Sequence, residues 1–125
     1  MTKIVIAGAV GRMGQALVRC SQMSDGIELV GATERAGHEG IGRDVGVLAG
    51  LDPVGVILKS DLREAVGEAD VIIDFTYHSA VPVNASLAAE LGRAMVIGTT
   101  ALEDEERGRV EAAAAKVPIV WAPYM

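Results

Sequence analysis

The chain is 125 residues long, enough for one domain with a real core. Half of its residues are hydrophobic, yet the aromatics are only Phe75, Tyr77, Trp121 and Tyr124, so the core must be built from Val, Ile, Leu and Ala. A formal net charge of −6 with no basic stripe argues against nucleic acid or a membrane surface as partner, and the lone Cys20 excludes a disulfide framework and a Cys-based metal site.

In chain order, the first predicted element is a buried strand over 2–7, followed at once by a glycine-rich turn and a helix near 11–23. Cys20 lies near Ala16 and Leu17 on that helix, where a packing role is expected. A second strand over 28–33 ends at Glu34. The stretch 36–53 carries Gly37, Gly40, Gly42, Gly46 and Gly50 and reads as a long loop with one helical turn. A third strand is predicted over 54–58 and a helix over 61–67. Strands over 70–75, 94–97 and 118–121 then alternate with helices over 79–91 and 102–115. Val71-Ile72-Ile73 and Met95-Val96-Ile97 are continuous apolar runs, as strands covered on both faces require. Pro82 falls in the first turn of its helix and Gly92 suits a C-cap. This alternation predicts a single α/β domain, a Rossmann-like doubly wound parallel sheet with right-handed crossovers. No apolar stretch approaches the roughly 18 residues of a membrane span, and the N-terminus lacks a signal-peptide layout, so the cytoplasm is the expected compartment.

The first turn carries the chemistry. Gly8-Ala9-Val10-Gly11-Arg12-Met13-Gly14 joins a strand to a helix, and twenty positions after Gly14 stands Glu34. This is the context of a dinucleotide-binding unit. A helix N-terminus has unpaired N–H groups and partial positive charge, which suit a pyrophosphate. Gly8 would make the turn, Gly11 would allow close approach, and Gly14 would let the helix pack on the sheet. The spacing is G-x-x-G-x-x-G, one residue longer in its first step than the common fingerprint. Glu34 can accept bonds from adenosine ribose hydroxyls, which favours NAD, and Arg35 can pair with a 2′-phosphate, which favours NADP. A solvated Glu-Arg pair at a strand end is the plainer alternative.

The ends of the later strands would line the crevice beyond the sheet. They are Asp74-Phe75-Thr76, Gly98-Thr99-Thr100 and Ala122-Pro123-Tyr124-Met125. Phe75 suits either a cofactor ring or ordinary core packing. Thr99 and Thr100 offer hydroxyls, and Thr100 with Glu103 spells a capping box. Glu103-Asp104-Glu105-Glu106 reads as a favourable first helical turn, not a metal site. His38 and His78 read as surface or capping residues without a metal-ligand or nucleophile–base spacing.

Taken together, the Gly8–Gly14 block, Glu34-Arg35, Asp74-Phe75-Thr76, Gly98-Thr99-Thr100 and Ala122-Pro123 closely resemble the N-terminal domain of the dihydrodipicolinate reductase (4-hydroxy-tetrahydrodipicolinate reductase) family, over essentially the whole chain. The resemblance implies hydride transfer from NADH or NADPH to a cyclic dicarboxylate in lysine and diaminopimelate biosynthesis. It implies cofactor contacts from Gly8, Ala9, Val10, Gly11, Arg12, Met13 and Gly14, from Glu34 and Arg35, from Gly98, Thr99 and Thr100, and from Ala122, Pro123, Tyr124 and Met125. Thr100 would also lie near substrate. Two positions depart from the family pattern, Ala101 where Gly is usual and Tyr124 where Asn is usual.

The resemblance further implies a second domain that supplies paired histidines, a lysine and most of a homotetramer interface. No His-His-x-x-x-Lys run occurs in these 125 residues, which are expected to be the dinucleotide-binding part of a longer protein, with no catalytic residue of their own. The other readings are an isolated dinucleotide-binding module without turnover and another amino-acid-pathway dehydrogenase, such as a homoserine or aspartate dehydrogenase. The G-R-M-G, D-F-T and G-T-T blocks argue against the last.

Overall fold

A computed structural model describes residues 1–122. Its elements are β1 (Thr2–Ala7), α1 (Arg12–Met23), β2 (Ile27–Thr33), α2 (Val45–Leu48), α3 (Leu62–Val66), β3 (Val71–Asp74), α4 (Val81–Leu91), β4 (Ala94–Ile97), α5 (Asp104–Ala114) and β5 (Ile119–Trp121). The strands form one sheet in the order β2-β1-β3-β4-β5, and every pairing is parallel. The predicted doubly wound α/β architecture is therefore present. The chain winds outward from β1 to β2, then crosses to β3 on the opposite side. The reversal leaves a crevice beyond the C-terminal ends of β1 and β3.

The period-2 geometry of β1 explains why helices cover both faces. Ile4 and Ile6 join Val18 of α1, Leu29 and Ala32 of β2, and Val45, Ala49 and Leu58 in one buried cluster. Val5 and Ala7 face the other way, onto Ile72, Met95 and Ile97 and onto Val81, Ala85 and Ala88 of α4. Both cores are aliphatic, as the shortage of aromatics demands. Truncating a fully buried member such as Ile72 to Ala should cost about 2–5 kcal/mol.

Two expectations fail for physical reasons. Residues 54–58 do not form a strand of the sheet. Gly55 has φ +83, and the Val54 and Gly55 amides donate to the Asp44 carboxylate at 3.1 and 2.8 Å instead of to a neighbouring strand. The segment makes only isolated bridges, Asp44 to Ile57 and Thr33 to Lys59. The second puts a short cover on the edge of β2. Cys20 is exposed, not packed. The buried positions of α1 are Gly14, Val18 and Ser21, and Cys20 lies two residues beyond Val18, roughly 200° around the helix.

Other signals hold. The 36–53 loop contains its one helical turn, α2. Pro82 stands in the first turn of α4, and Gly92 closes that helix in the left-handed conformation.

Candidate functional site

The turn after β1 is built by glycines for two different reasons. Gly8 has φ +84, and a Cβ there would stand 2.7 Å from the carbonyl oxygen of Phe75. Gly14 lies one turn into α1, where a Cβ would overlap the Gly8 carbonyl and the Ala9 backbone. The helix thus packs directly on the turn that precedes it. Gly11 is the N-cap of α1, and the nearest atom to a Cβ there is the Gly8 oxygen at 3.6 Å.

No side chain caps α1, and its first turn holds no acidic residue. The helix therefore presents its first N–H groups and its positive dipole end to the crevice. Helix α5 is the contrast. The sequence suggested a box from Thr100 to Glu103, but the box lies three residues on. Glu103 is the N-cap, and its amide donates to Glu106 at 2.8 Å. Asp104, Glu105 and Glu106 fill the first turn. That helix end is satisfied by its own side chains, so it offers little to an anion.

Glu34 closes one side of the turn. Its carboxylate accepts from the Val10 amide at 3.4 Å and from the Arg35 amide at 3.1 Å. Glu34 and Arg35 line a groove of about 980 Å³ together with Gly8, Gly11, Phe75, Thr76 and Tyr77, and the groove continues between α3 and α4 past Arg63 and Glu90. A second cavity of about 490 Å³ shares Gly8, Gly11, Phe75, Thr76 and Tyr77 with the first. It extends to Arg12, Met13, Gly14, His78, Gly98, Thr99, Thr100 and Ala101. The two form one cleft across the ends of β2, β1, β3 and β4.

Most of the residues singled out from sequence thus meet on this cleft. Ala9 is fully buried and offers only backbone. Val10 lines neither cavity, and its amide donates to Glu34. Ala122 lines neither cavity, its amide donating to the Ile97 carbonyl at 2.7 Å. Pro123, Tyr124 and Met125 lie outside the described residues. Phe75 is half-buried on both cavities with its ring over Gly98, where any Cβ would overlap it. Ala101 adopts φ +63, a left-handed conformation in a residue with a Cβ.

Sequence reasoning missed two partnerships because each joins a loop or strand end to a side chain on a later helix. His78 Nδ1 lies 2.8 and 2.9 Å from the two carboxylate oxygens of Glu106 on α5. The Glu103 amide first, and His78 with it, hold the Glu106 carboxyl below its ordinary value. His38, by contrast, makes the local contact expected of it, accepting from the Gly40 amide at 2.9 Å.

Asp74 is the second case. Fully buried at the end of β3, it accepts from the Thr76 amide at 2.8 Å and from Asn84 Nδ2 at 2.9 Å. Burial pushes its carboxyl above the ordinary carboxylate value, with the Thr76 and Asn84 bonds opposing that rise. Among the described residues no group of three or more His, Cys, Asp or Glu is arranged to hold a metal ion, and no helix is long and apolar enough to cross a membrane.

The family model for "Dihydrodipicolinate reductase, N-terminus" matches residues 2–125. A 4-hydroxy-tetrahydrodipicolinate reductase of Anaeromyxobacter sp. (strain Fw109-5) is 49% identical over all 125 residues, which correspond to 46% of that protein. The chain spans less than half the length of the curated relatives it matches. Among solved structures, a dipicolinate-bound dihydrodipicolinate reductase from Paenisporosarcina sp. TG-14 superposes with a TM-score of 0.77 at 24% identity, covering 98% of this chain and 47% of that one. The WlbA dehydrogenase of Bordetella pertussis, solved with NADH and UDP-GlcNAcA, superposes with a TM-score of 0.70 at 19% identity, covering 95% of this chain and 35% of that one. At these identities the superpositions speak for the fold.

Proposed function

The chain belongs to the dihydrodipicolinate reductase family, and we propose that it forms the dinucleotide-binding part of an NAD(P)H-dependent reductase of 4-hydroxy-tetrahydrodipicolinate in lysine and diaminopimelate biosynthesis. One observation carries the cofactor reading. An uncapped helix N-terminus opens on the crevice of a doubly wound sheet, with a carboxylate braced at the end of the next strand.

The chain's own residues fit such a ligand. The amides at the start of α1 suit the pyrophosphate. Glu34 suits the adenosine ribose and Arg35 a 2′-phosphate, so the adjacent pair supports use of both NADH and NADPH. With the adenosine end at Glu34, the dinucleotide would run across the turn toward the cavity walled by Phe75 and Gly98–Thr100. Thr100 is exposed on that wall, where its hydroxyl could meet substrate. When bound, the reduced nicotinamide supplies a hydride to the cyclic dicarboxylate. The residues described here bind the donor, orient it and close one side of it from water. Delivery of a proton to the dicarboxylate, and the charged groups that would hold its carboxylates, fall to residues beyond these 125. The cytoplasmic setting read from the sequence belongs to the same proposal.

The test is calorimetric titration of the 125-residue chain with NADH and with NADPH, followed by an assay of NADPH oxidation with freshly generated substrate. Binding with turnover near background is expected. Absence of binding for both cofactors would sink the reading. Robust turnover would put a proton donor within these residues, with His78→Ala the first variant to make.

A further inference from the structure

We propose that Asp74 is a positioning residue that sets the nicotinamide-end wall of the cleft, acting through hydrogen bonds that join the loop after β3 to the loop after β4. The proposal rests on the dinucleotide reading above and adds a residue to it that touches no ligand itself.

The bonds all donate toward a fully buried carboxylate. Asp74 receives the Thr76 amide and hydroxyl and the side-chain amide of Asn84 on α4. Thr76, so held, turns its carbonyl to the Thr99 hydroxyl, which donates to it at 2.8 Å. The Thr99 carbonyl in turn accepts from Trp121 Nε1 at 3.3 Å. A carboxylate with no exposure is costly unless its oxygens are satisfied, and satisfying them here requires one arrangement of the 74–76 turn. A Leu or Val at the end of β3 would pack more cheaply in this aliphatic core, but it would leave the Thr76 amide and hydroxyl without this acceptor. The wall formed by Thr76 and Thr99 would then be free to shift by amounts that matter for orienting a ring.

The positioning role is carried by acceptor geometry, which makes it separable from charge. An Asn at 74 keeps an oxygen for Thr76, and the Asn84 amide can reverse to accept from the new Nδ2. Asp74→Asn should therefore keep the wall in place where Asp74→Ala does not. Thr99→Val cuts the tie between the loops at a half-buried position without touching Asp74.

The experiment measures Kd for NADH and for ADP-ribose, which lacks the nicotinamide, with wild type and the three variants, alongside the unfolding midpoint of each. Thr99→Val should raise the Kd for NADH about fivefold and leave ADP-ribose within about twofold, the scale of one lost hydrogen bond. Asp74→Ala should weaken both ligands, because Thr76 lines both cavities, and NADH by more. Asp74→Asn should restore both. A folded Thr99→Val that changes both ligands equally, or neither, overturns the assignment. So does an Asp74→Asn as weak as Asp74→Ala, which would transfer the role to charge. If Asp74→Ala does not fold, Thr99→Val and Asp74→Asn still decide. A wild-type chain that binds neither ligand overturns the dinucleotide reading itself, and that outcome is seen before any variant is compared.

Discussion

The Glu34 carboxylate accepts the Val10 amide at 3.4 Å, so the end of β2 braces a glycine turn that lies 24 positions earlier in the chain. Glu34 therefore shapes the turn as well as offering an acceptor to a ribose. Glu34→Ala should weaken NADH by about 1–2 kcal/mol and NADPH by less, because a like charge beside the 2′-phosphate is also removed. Arg35→Ala should weaken NADPH by about 1.5–3 kcal/mol, the range of a hydrogen bond to a charged group, and leave NADH nearly unchanged. Titration of both variants with both cofactors checks the pair, and equal effects on the two cofactors would refute the assignment.

Gly11 and Gly14 should separate binding from folding. A Cβ at Gly11 would meet only the Gly8 oxygen, at an ordinary contact distance of 3.6 Å, so Gly11→Val should fold while dinucleotide affinity falls by about 2 kcal/mol or more. Gly14→Ala forces a methyl group into the Gly8 and Ala9 backbone and should lower stability by about 1–3 kcal/mol before any ligand is added. Urea midpoints and NADH titrations of the two proteins distinguish these losses.

Ala101 holds a left-handed conformation that costs an L-residue roughly 1–2 kcal/mol. Ala101→Gly removes that strain but adds backbone freedom to the unfolded chain, for a net gain of about 0.5–1 kcal/mol. The unfolding midpoint should rise. A fall would mean that the alanine methyl makes a packing contact worth more than its strain.

Two buried or partly buried carboxylates should give opposite pH dependence. Burial raises the Asp74 carboxyl, so its folded form holds a proton more readily than the unfolded chain does. Its contribution therefore declines as pH rises from the ordinary value of 3.8 through the raised one. Asp44 is also penalised by burial, but bonds from the Val54, Gly55, Val47 and Gly46 amides outweigh that and lower it. Its contribution is present above 3.8 and is lost as pH falls through the lowered value. Relative to wild type, Asp74→Asn should gain stability as pH rises across its window. Asp44→Asn should lose least at low pH. Denaturation midpoints of the three proteins over an acid-to-neutral series read both slopes.

The sequence by itself determined the parallel α/β sheet, the turn at Gly8–Gly14 and the Glu34-Arg35 pair at the end of β2. These depend on short-range patterns: apolar runs of strand length, helical periodicity, and glycines spaced for a strand–helix turn. Only the tertiary structure decided the rest. Residues 54–58 have strand-like composition, but the Asp44 carboxylate, ten residues away, takes the Val54 amide that a ladder would need. Thr100 and Glu103 have capping-box spacing, but Glu103 and Glu106 make the bonds, so the end of α5 is closed from within while the end of α1 stays open. Asp74 looks like any polar strand end until Asn84 and the Thr76 turn are brought onto its oxygens, with Thr99 tied in turn to Thr76. The first and last cases turn on which donor reaches an acceptor on another element, which spacing along the chain does not encode; the second turns on where the first helical turn begins, which two equal spacings leave open.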